Sequence, residues 1–233
     1  MLELRRIEAG YGEHTVLRDV SVTVPPGTVV AVLGANGAGK TTLLRVASGL
    51  LRPSAGTVLL GGEDITRARP HARARRGLCH IPEGRGIYPS LTVRENLVLH
   101  SRPGGETAAL DRAVSAFPVL GEKLRQPARL LSGGQQQMLS LVRAYLTDPK
   151  VVIVDEASMG LAPVVVDQIF EFLGQIAASG TALLIVEQYV SRALALAGHV
   201  YLLNKGSVVF AGPPRDIADD LFAHYLGAAA GAH

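Results

Sequence analysis

Gly34-Ala35-Asn36-Gly37-Ala38-Gly39-Lys40-Thr41 fits the pattern G-x-x-x-x-G-K-[S/T], and the residues on either side suit it. Ahead of it, residues 28–33 are a short apolar, β-branched run that reads as a buried strand. Behind it, Leu43, Val46, Ala47 and Leu50 recur at i, i+3, i+4 and i+7, which is one face of a helix. Strand, glycine-rich turn and helix form the context that gives such a loop its meaning. Glycines let backbone N–H groups converge on phosphate oxygens without Cβ clashes, and the helix N-terminus adds its positive dipole end. Lys40 then supplies a point charge for the β/γ-phosphates, and Thr41 a hydroxyl for Mg²⁺. From average residue usage, a chance match in a chain this long is on the order of one in a hundred. The stretch implies nucleotide phosphate.

Two further stretches extend that reading. Residues 151–154 are an apolar strand ending in Asp155 and Glu156. Carboxylates at the C-terminal edge of a parallel strand lie where ligands bind in such sheets. One acid can hold Mg²⁺ through water, and its neighbour can orient or deprotonate an attacking water. In Leu131-Ser132-Gly133-Gly134-Gln135, Ser132 and Gln135 form a capping box, and Met138, Leu141, Val142 and Tyr145 supply a buried stripe. Two glycines in the first turn each cost about 1 kcal/mol relative to alanine. That cost implies close backbone approach to something, read here as phosphate.

The rest of the chain sorts around these motifs. Residues 2–8 and 16–24 alternate as antiparallel strands, with Tyr11 in the loop between them. Such a tyrosine reads either as a capped hydrophobe or as a ring stacked on adenine. The arginine run Arg67, Arg69, Arg73, Arg75, Arg76 is read as a solvated helix face, because no aromatic residues interleave for base stacking. Thr92 and Glu95 form a second capping box, and residues 88–145 show helical spacing without strand signals. They read as a helical insert between two halves of an α/β core. Beyond the acids come a helix through Val166, Ile169, Phe170 and Leu173, a strand at 182–186 and a helix at 189–197. Strands near 199–204 and 207–211, a final helical region after Pro214 and a frayed tail at 227–233 complete the reading.

Bulk properties bound the function. The chain of 233 residues is 48% hydrophobic, yet no stretch approaches the roughly 18 uncharged apolar residues of a spanning helix. Its first residues, with Glu3, Arg5, Arg6 and Glu8, do not read as a signal peptide. A net charge of +3 makes no case for a nucleic-acid partner. The lone Cys79 excludes an internal disulfide and a cysteine metal site, and fits a reducing cytoplasm.

Taken in order, Tyr11, the loop 34–41, Leu131–Gln135, Asp155-Glu156 and Gln188 resemble the ATP-binding subunit of an ABC transporter over essentially the whole chain. The resemblance implies a P-loop (RecA-like) α/β core with an N-terminal antiparallel β subdomain and an inserted helical subdomain. It would form one domain over 1–226, with core segments 1–87 and 146–226. It implies that Gly34, Asn36, Gly37, Ala38, Gly39, Lys40, Thr41 and Thr42 hold ATP, with Tyr11 on the adenine. Thr41, Glu83 and Asp155 would hold Mg²⁺, and Glu156 and Gln188 would be catalytic. Ser132, Gly133, Gly134 and Gln135 would reach the ATP bound on a partner subunit.

Ile81-Pro82-Glu83-Gly84-Arg85, Leu91–Leu97, Gly160-Leu161-Ala162-Pro163 and Val186-Glu187-Gln188 look like the branched-chain amino acid uptake branch, in particular its second, shorter ATPase. Importers of urea or short-chain amides share these motifs. The implied partners are a sister ATPase, two transmembrane permease subunits and an extracytoplasmic solute-binding protein, on the cytoplasmic face of the inner or plasma membrane. Glu83, Ala162 and Gln188 depart from the wider superfamily, which carries Gln, Asp and His there. Glutamine can donate to a γ-phosphate but lacks the cationic role of histidine. Ala157 stands where proline normally follows the glutamate, and no functional reading of it follows from the sequence. A non-transport ATPase of the superfamily is the other class. Chromosome-maintenance and repair members carry long coiled coils, against which the 155 − 40 = 115 residues between Lys40 and Asp155 argue, with no sustained heptads. An iron–sulfur assembly ATPase is harder to exclude on length but would be expected to keep Gln and His at positions 83 and 188.

Overall fold

The computed structural model describes residues 1–84, 86–101, 103–187 and 189–217. Arg85, Gln188, the helical region expected beyond 217 and the tail at 227–233 lie outside the described residues.

The chain begins with the antiparallel strands β1 (Leu2–Tyr11) and β2 (His14–Val24), followed by β3 (Val29–Leu33) and α1 (Lys40–Ser48). Strands β4 (Ala55–Leu60) and β5 (Glu63–Asp64) precede α2 (Pro70–Arg75) and β6 (Leu78–Ile81). The insert then supplies α3 (Val93–Val98), α4 (Glu106–Ala116), α5 (Pro118–Gly121) and α6 (Gly133–Leu146). The chain continues through β7 (Val151–Asp155), α7 (Pro163–Ala178), β8 (Ala182–Val186) and α8 (Val190–Leu196). Next come β9 (His199–Asn204) and β10 (Ser207–Gly212), and a 3₁₀ turn at Pro214–Asp216 is the last described element.

Two sheets organise these elements. β2-β1-β4-β5 is antiparallel, whereas in β10-β9-β3-β8-β7-β6 only the edge pair β10/β9 is antiparallel. The parallel strands β3, β7 and β8 are buried along their whole length, as expected of a sheet covered on both faces. Their alternation divides the core. Ala31, Leu33, Val152, Val154 and Ile185 pack with α6 and α7, while Val30, Val32, Ile153 and Leu184 face α1 and the antiparallel sheet. The six-stranded sheet is therefore the middle layer. Its parallel strands deliver the loops after β3, β7 and β8 to one edge, since β3 pairs with β8 and β8 with β7.

Three sequence expectations need correction. Tyr11 is the last residue of β1 rather than a loop residue. Leu50 lies outside α1 and is 58% exposed, because Gly49 takes a left-handed conformation that ends the helix at Ser48. The arginine run is not uniformly solvated. Arg73 is fully buried and donates to the carbonyls of Val46 and Ala47 at 2.8 and 2.7 Å, and to those of Ala68 and Thr66 at 3.0 Å each. A guanidinium there satisfies the free carbonyls at the C-terminus of α1 and suits its negative dipole end. Burial lowers its pKa to about 10, so it stays charged at neutral pH. Arg76, by contrast, makes a surface pair with Glu63. Among the described residues no helix is long and apolar enough to cross a membrane.

Candidate nucleotide site

The loop between β3 and α1 opens onto a cleft of about 470 Å³ lined by Val16, Asn36, Gly37, Gly39, Lys40, Thr41, Thr42 and Glu156. A larger groove of about 590 Å³, bordered by Arg52, Arg67 and Arg76, contains none of the expected site residues. Gly39 is the N-cap of α1 with φ +107°, and no side chain caps the helix start. The first N–H groups of α1 are thus without a side-chain acceptor, the arrangement that suits an anion. Lys40 is 8% exposed, and its Nζ folds back to the carbonyls of Gly34 at 2.8 Å and Ala35 at 3.1 Å. Burial lowers its pKa against the opposing charges of Glu156 and Asp155. The ammonium is held over the loop rather than free in solvent.

Asp155 sits at the end of β7, 3% exposed, with Oδ1 buried and unpartnered among the described residues. Burial first, then the charges of Glu156 and Glu83, push its pKa up to about 6, with Arg45 and the Thr41 hydroxyl opposing. The structure therefore brings Thr41, Glu83, Asp155 and Glu156 into one electrostatic neighbourhood. No group of three or more His, Cys, Asp or Glu side chains with ligand geometry occurs among the described residues. Two carboxylates and a hydroxyl nevertheless match the sparse protein ligation of Mg²⁺, which keeps waters and shares phosphate oxygens. The orphaned Asp155 Oδ1 fits such an ion. Glu156 has left-handed backbone (φ +47°), and its N–H donates to Val186 O at 2.8 Å. That conformation is unusual for a residue with a Cβ and directs the Glu156 side chain into the cleft wall.

Gly34, Ala38, Glu83 and Asp155 adjoin this cleft's residues in sequence or charge without lining it, and the remaining described residues of the expected set do not line it either. Tyr11 is not among its lining residues. Its hydroxyl accepts a hydrogen bond from Arg45 at 3.0 Å, and the guanidinium carbon lies 6.0 Å from the ring centroid. Ser132, Gly133, Gly134 and Gln135 open α6 and also do not line the cleft. Ser132 Oγ accepts from Gln135 N at 3.3 Å, and Gln135 Oε1 accepts from Ser132 N at 3.1 Å, so the capping box is closed. A Cβ at Gly134 would come within 2.7 Å of Val165 Cγ1, so the close approach at this glycine is to α7 of the same chain. That gives Gly134 a packing reason within the chain. Gln188 lies outside the described residues.

Val16 on β2 and Arg45 on α1 border or tune the site without having been singled out in the sequence. Val16 carried only the parity of a strand, and Arg45 only a place on a helix, so neither had a distinguishing signal.

Residues 17–159 match the family model described as ABC transporter. The chain is 37% identical over 212 residues to the high-affinity branched-chain amino acid transport ATP-binding protein BraG of Pseudomonas aeruginosa, covering 90% of this chain and 91% of that protein. It is 34% identical over 223 residues to the probable branched-chain amino acid transport ATP-binding protein LivF of Archaeoglobus fulgidus, covering 94% of each. A solved ATP-binding subunit of an ABC transporter superposes with a TM-score of 0.82 at 28% identity, over 100% of this chain and 95% of that one. Such subunits work with membrane permease subunits. The chain belongs to the ABC transporter family, as an ATP-binding subunit whose activity is ATP hydrolysis coupled to transport.

Proposed function

We propose that this subunit energises the uptake of branched-chain amino acids from the cytoplasmic face of the inner or plasma membrane. The observation that carries the site reading is that Lys40, Thr41 and Glu156 line one cleft at the edge of the parallel sheet, with the buried Asp155 coupled electrostatically to Lys40 and Glu156. The transport names of the relatives from Pseudomonas aeruginosa and Archaeoglobus fulgidus support the cargo.

In this reading residues 34–42 cradle the ATP phosphates with backbone N–H groups, and Lys40 exchanges its two carbonyl partners for phosphate oxygens. Thr41, Glu83 and Asp155 hold Mg²⁺, which when bound neutralises developing phosphate charge. Glu156 takes a proton from the attacking water, a contribution of about 10²–10⁴ in rate for a well-placed base. Gln188 donates to the γ-phosphate, and Tyr11 leaves Arg45 to stack on adenine. The chemistry is chiefly positioning and electrostatics. Ser132, Gly133, Gly134 and Gln135 contact the ATP on a sister ATPase. None of the four lines the chain's own cleft, which supports that role. The helical subdomain of about 88–145 carries the motion to two transmembrane permease subunits, which receive cargo from an extracytoplasmic solute-binding protein.

The test is purification of the tagged full chain from solubilised native membranes, followed by a cargo screen of the associated binding protein. Co-purification of two permease subunits and a sister ATPase, with a binding protein selective for leucine-like amino acids, is the expected result. A binding protein selective for urea or amides would overturn the cargo. Recovery of soluble proteins alone, with membrane-independent hydrolysis, would move the chain to the non-transport ATPases.

A further inference from the structure

The turn that carries Glu156 is fixed at both ends to consecutive residues at the end of β8. Glu156 N–H donates to Val186 O at 2.8 Å, and two residues later Ser158 Oγ donates to Glu187 Oε2. Ser158 is 0% exposed and Glu187 3% exposed. Glu187 Oε1 is buried with no partner among the described residues. A buried carboxylate with an unused oxygen is costly, and an apolar residue would pack the same space more favourably. A left-handed residue such as Glu156 is also costly, on the order of 1–3 kcal/mol, and persists where its surroundings over-determine it. The two costs meet in one turn.

We propose that Ser158 and Glu187 are a positioning pair that holds Glu156 in its left-handed conformation, aimed into the nucleotide cleft. This rests on the reading of Glu156 as the group that takes the proton from water. The pair also gives Ala157 a role. Burial pushes the Glu187 pKa up to about 7, against the Ser158 hydroxyl and then the amides of Ala157 and Ser158, which favour the charged form; proline at 157 would have no N–H to contribute. Neither Ser158 nor Glu187 lines the cleft, so they act through Glu156 rather than on ATP.

The experiment measures ATP affinity and steady-state hydrolysis in the assembled transporter carrying Ser158→Ala, Glu187→Ala, their combination, Glu187→Gln or Glu156→Gln. Loss of position predicts about a ten-fold lower kcat for either alanine variant, with KM and ATP affinity unchanged. The double variant should be no slower than either single one, because both remove the same contact. Glu187→Gln, which keeps an oxygen acceptor for Ser158, should recover most of the turnover. Wild-type kcat in both alanine variants, or weakened ATP affinity with kcat preserved, would overturn the pair. If Glu187→Ala does not fold, Ser158→Ala decides alone, since it deletes one oxygen. Unchanged turnover in Glu156→Gln would remove the base and the pair together. Slow turnover in Glu156→Gln with normal Ser158→Ala and Glu187→Ala would remove only the pair.

Discussion

Helices α1 and α6 both begin in glycine-rich sequence, and their starts are finished in opposite ways. At α1 the N-cap is a left-handed glycine, no side chain accepts from the first turn, and Lys40 turns back onto the loop. At α6 Ser132 and Gln135 satisfy each other in a closed capping box, and Gly134 is pressed against Val165. One start is left open for an anion. The other is complete within the chain, so binding there means exchanging existing hydrogen bonds for those of a ligand brought by another subunit. Glycine pairs in a sequence therefore do not identify a phosphate cradle by themselves; what caps the helix decides.

Lys40→Ala breaks the open start most severely. It removes the ammonium folded over the loop, and ATP affinity of the purified chain should fall by more than about 100-fold, since hydrogen bonds to charged groups contribute about 1.5–3 kcal/mol and the ammonium would offer two of them to phosphate. Calorimetric titration checks it. Gly134→Ala probes the closed start. The added methyl meets Val165 and should destabilise the chain by about 1–3 kcal/mol without changing ATP affinity. Denaturant melts together with the same titration separate those effects. If ATP affinity fell while stability held, the contact with Val165 would not be the reason for the glycine.

Ser132→Ala opens the α6 box and should cost about 1 kcal/mol of stability, read as a lowered denaturation midpoint with affinity at the chain's own cleft unchanged. The smallest effect concerns a third helix start. At α3 the box is built from Thr92 and Glu95, and the Thr92 amide, then its hydroxyl, hold the Glu95 pKa below the usual carboxylate value. A carboxylate with a depressed folded pKa stabilises the fold above its unfolded pKa near 4.5, and that contribution is lost as pH falls through the folded value. Glu95→Gln should therefore lower Tm slightly at pH 7 and have less effect near pH 3. The neutral box at α6 should show no such dependence, and an equal pH response in Ser132→Ala would contradict the contrast.

Local chemistry made much of this legible in the sequence. The loop 34–41, both capping boxes, the buried strands and the acids at the end of β7 are each written within a few consecutive residues, and each takes its expected place in the fold. What escaped the sequence depends on distant partners. Arg73 is buried because it meets the end of α1, 27 and 26 residues earlier. Gly134 is constrained by Val165, Val16 lines the cleft from another sheet, and Ser158 meets Glu187 29 residues away. No periodicity encodes such pairs, because they arise only when the fold brings elements distant in sequence side by side.

The most direct test of the central claim is a single comparison of Glu156→Gln with wild type in the assembled transporter, following bound ATP and released phosphate together. The account predicts ATP bound at wild-type affinity, phosphate release slowed by about 10²–10⁴, and a persistent ATP-bound dimer. Phosphate released at the wild-type rate would contradict it, and would require another group to activate the water.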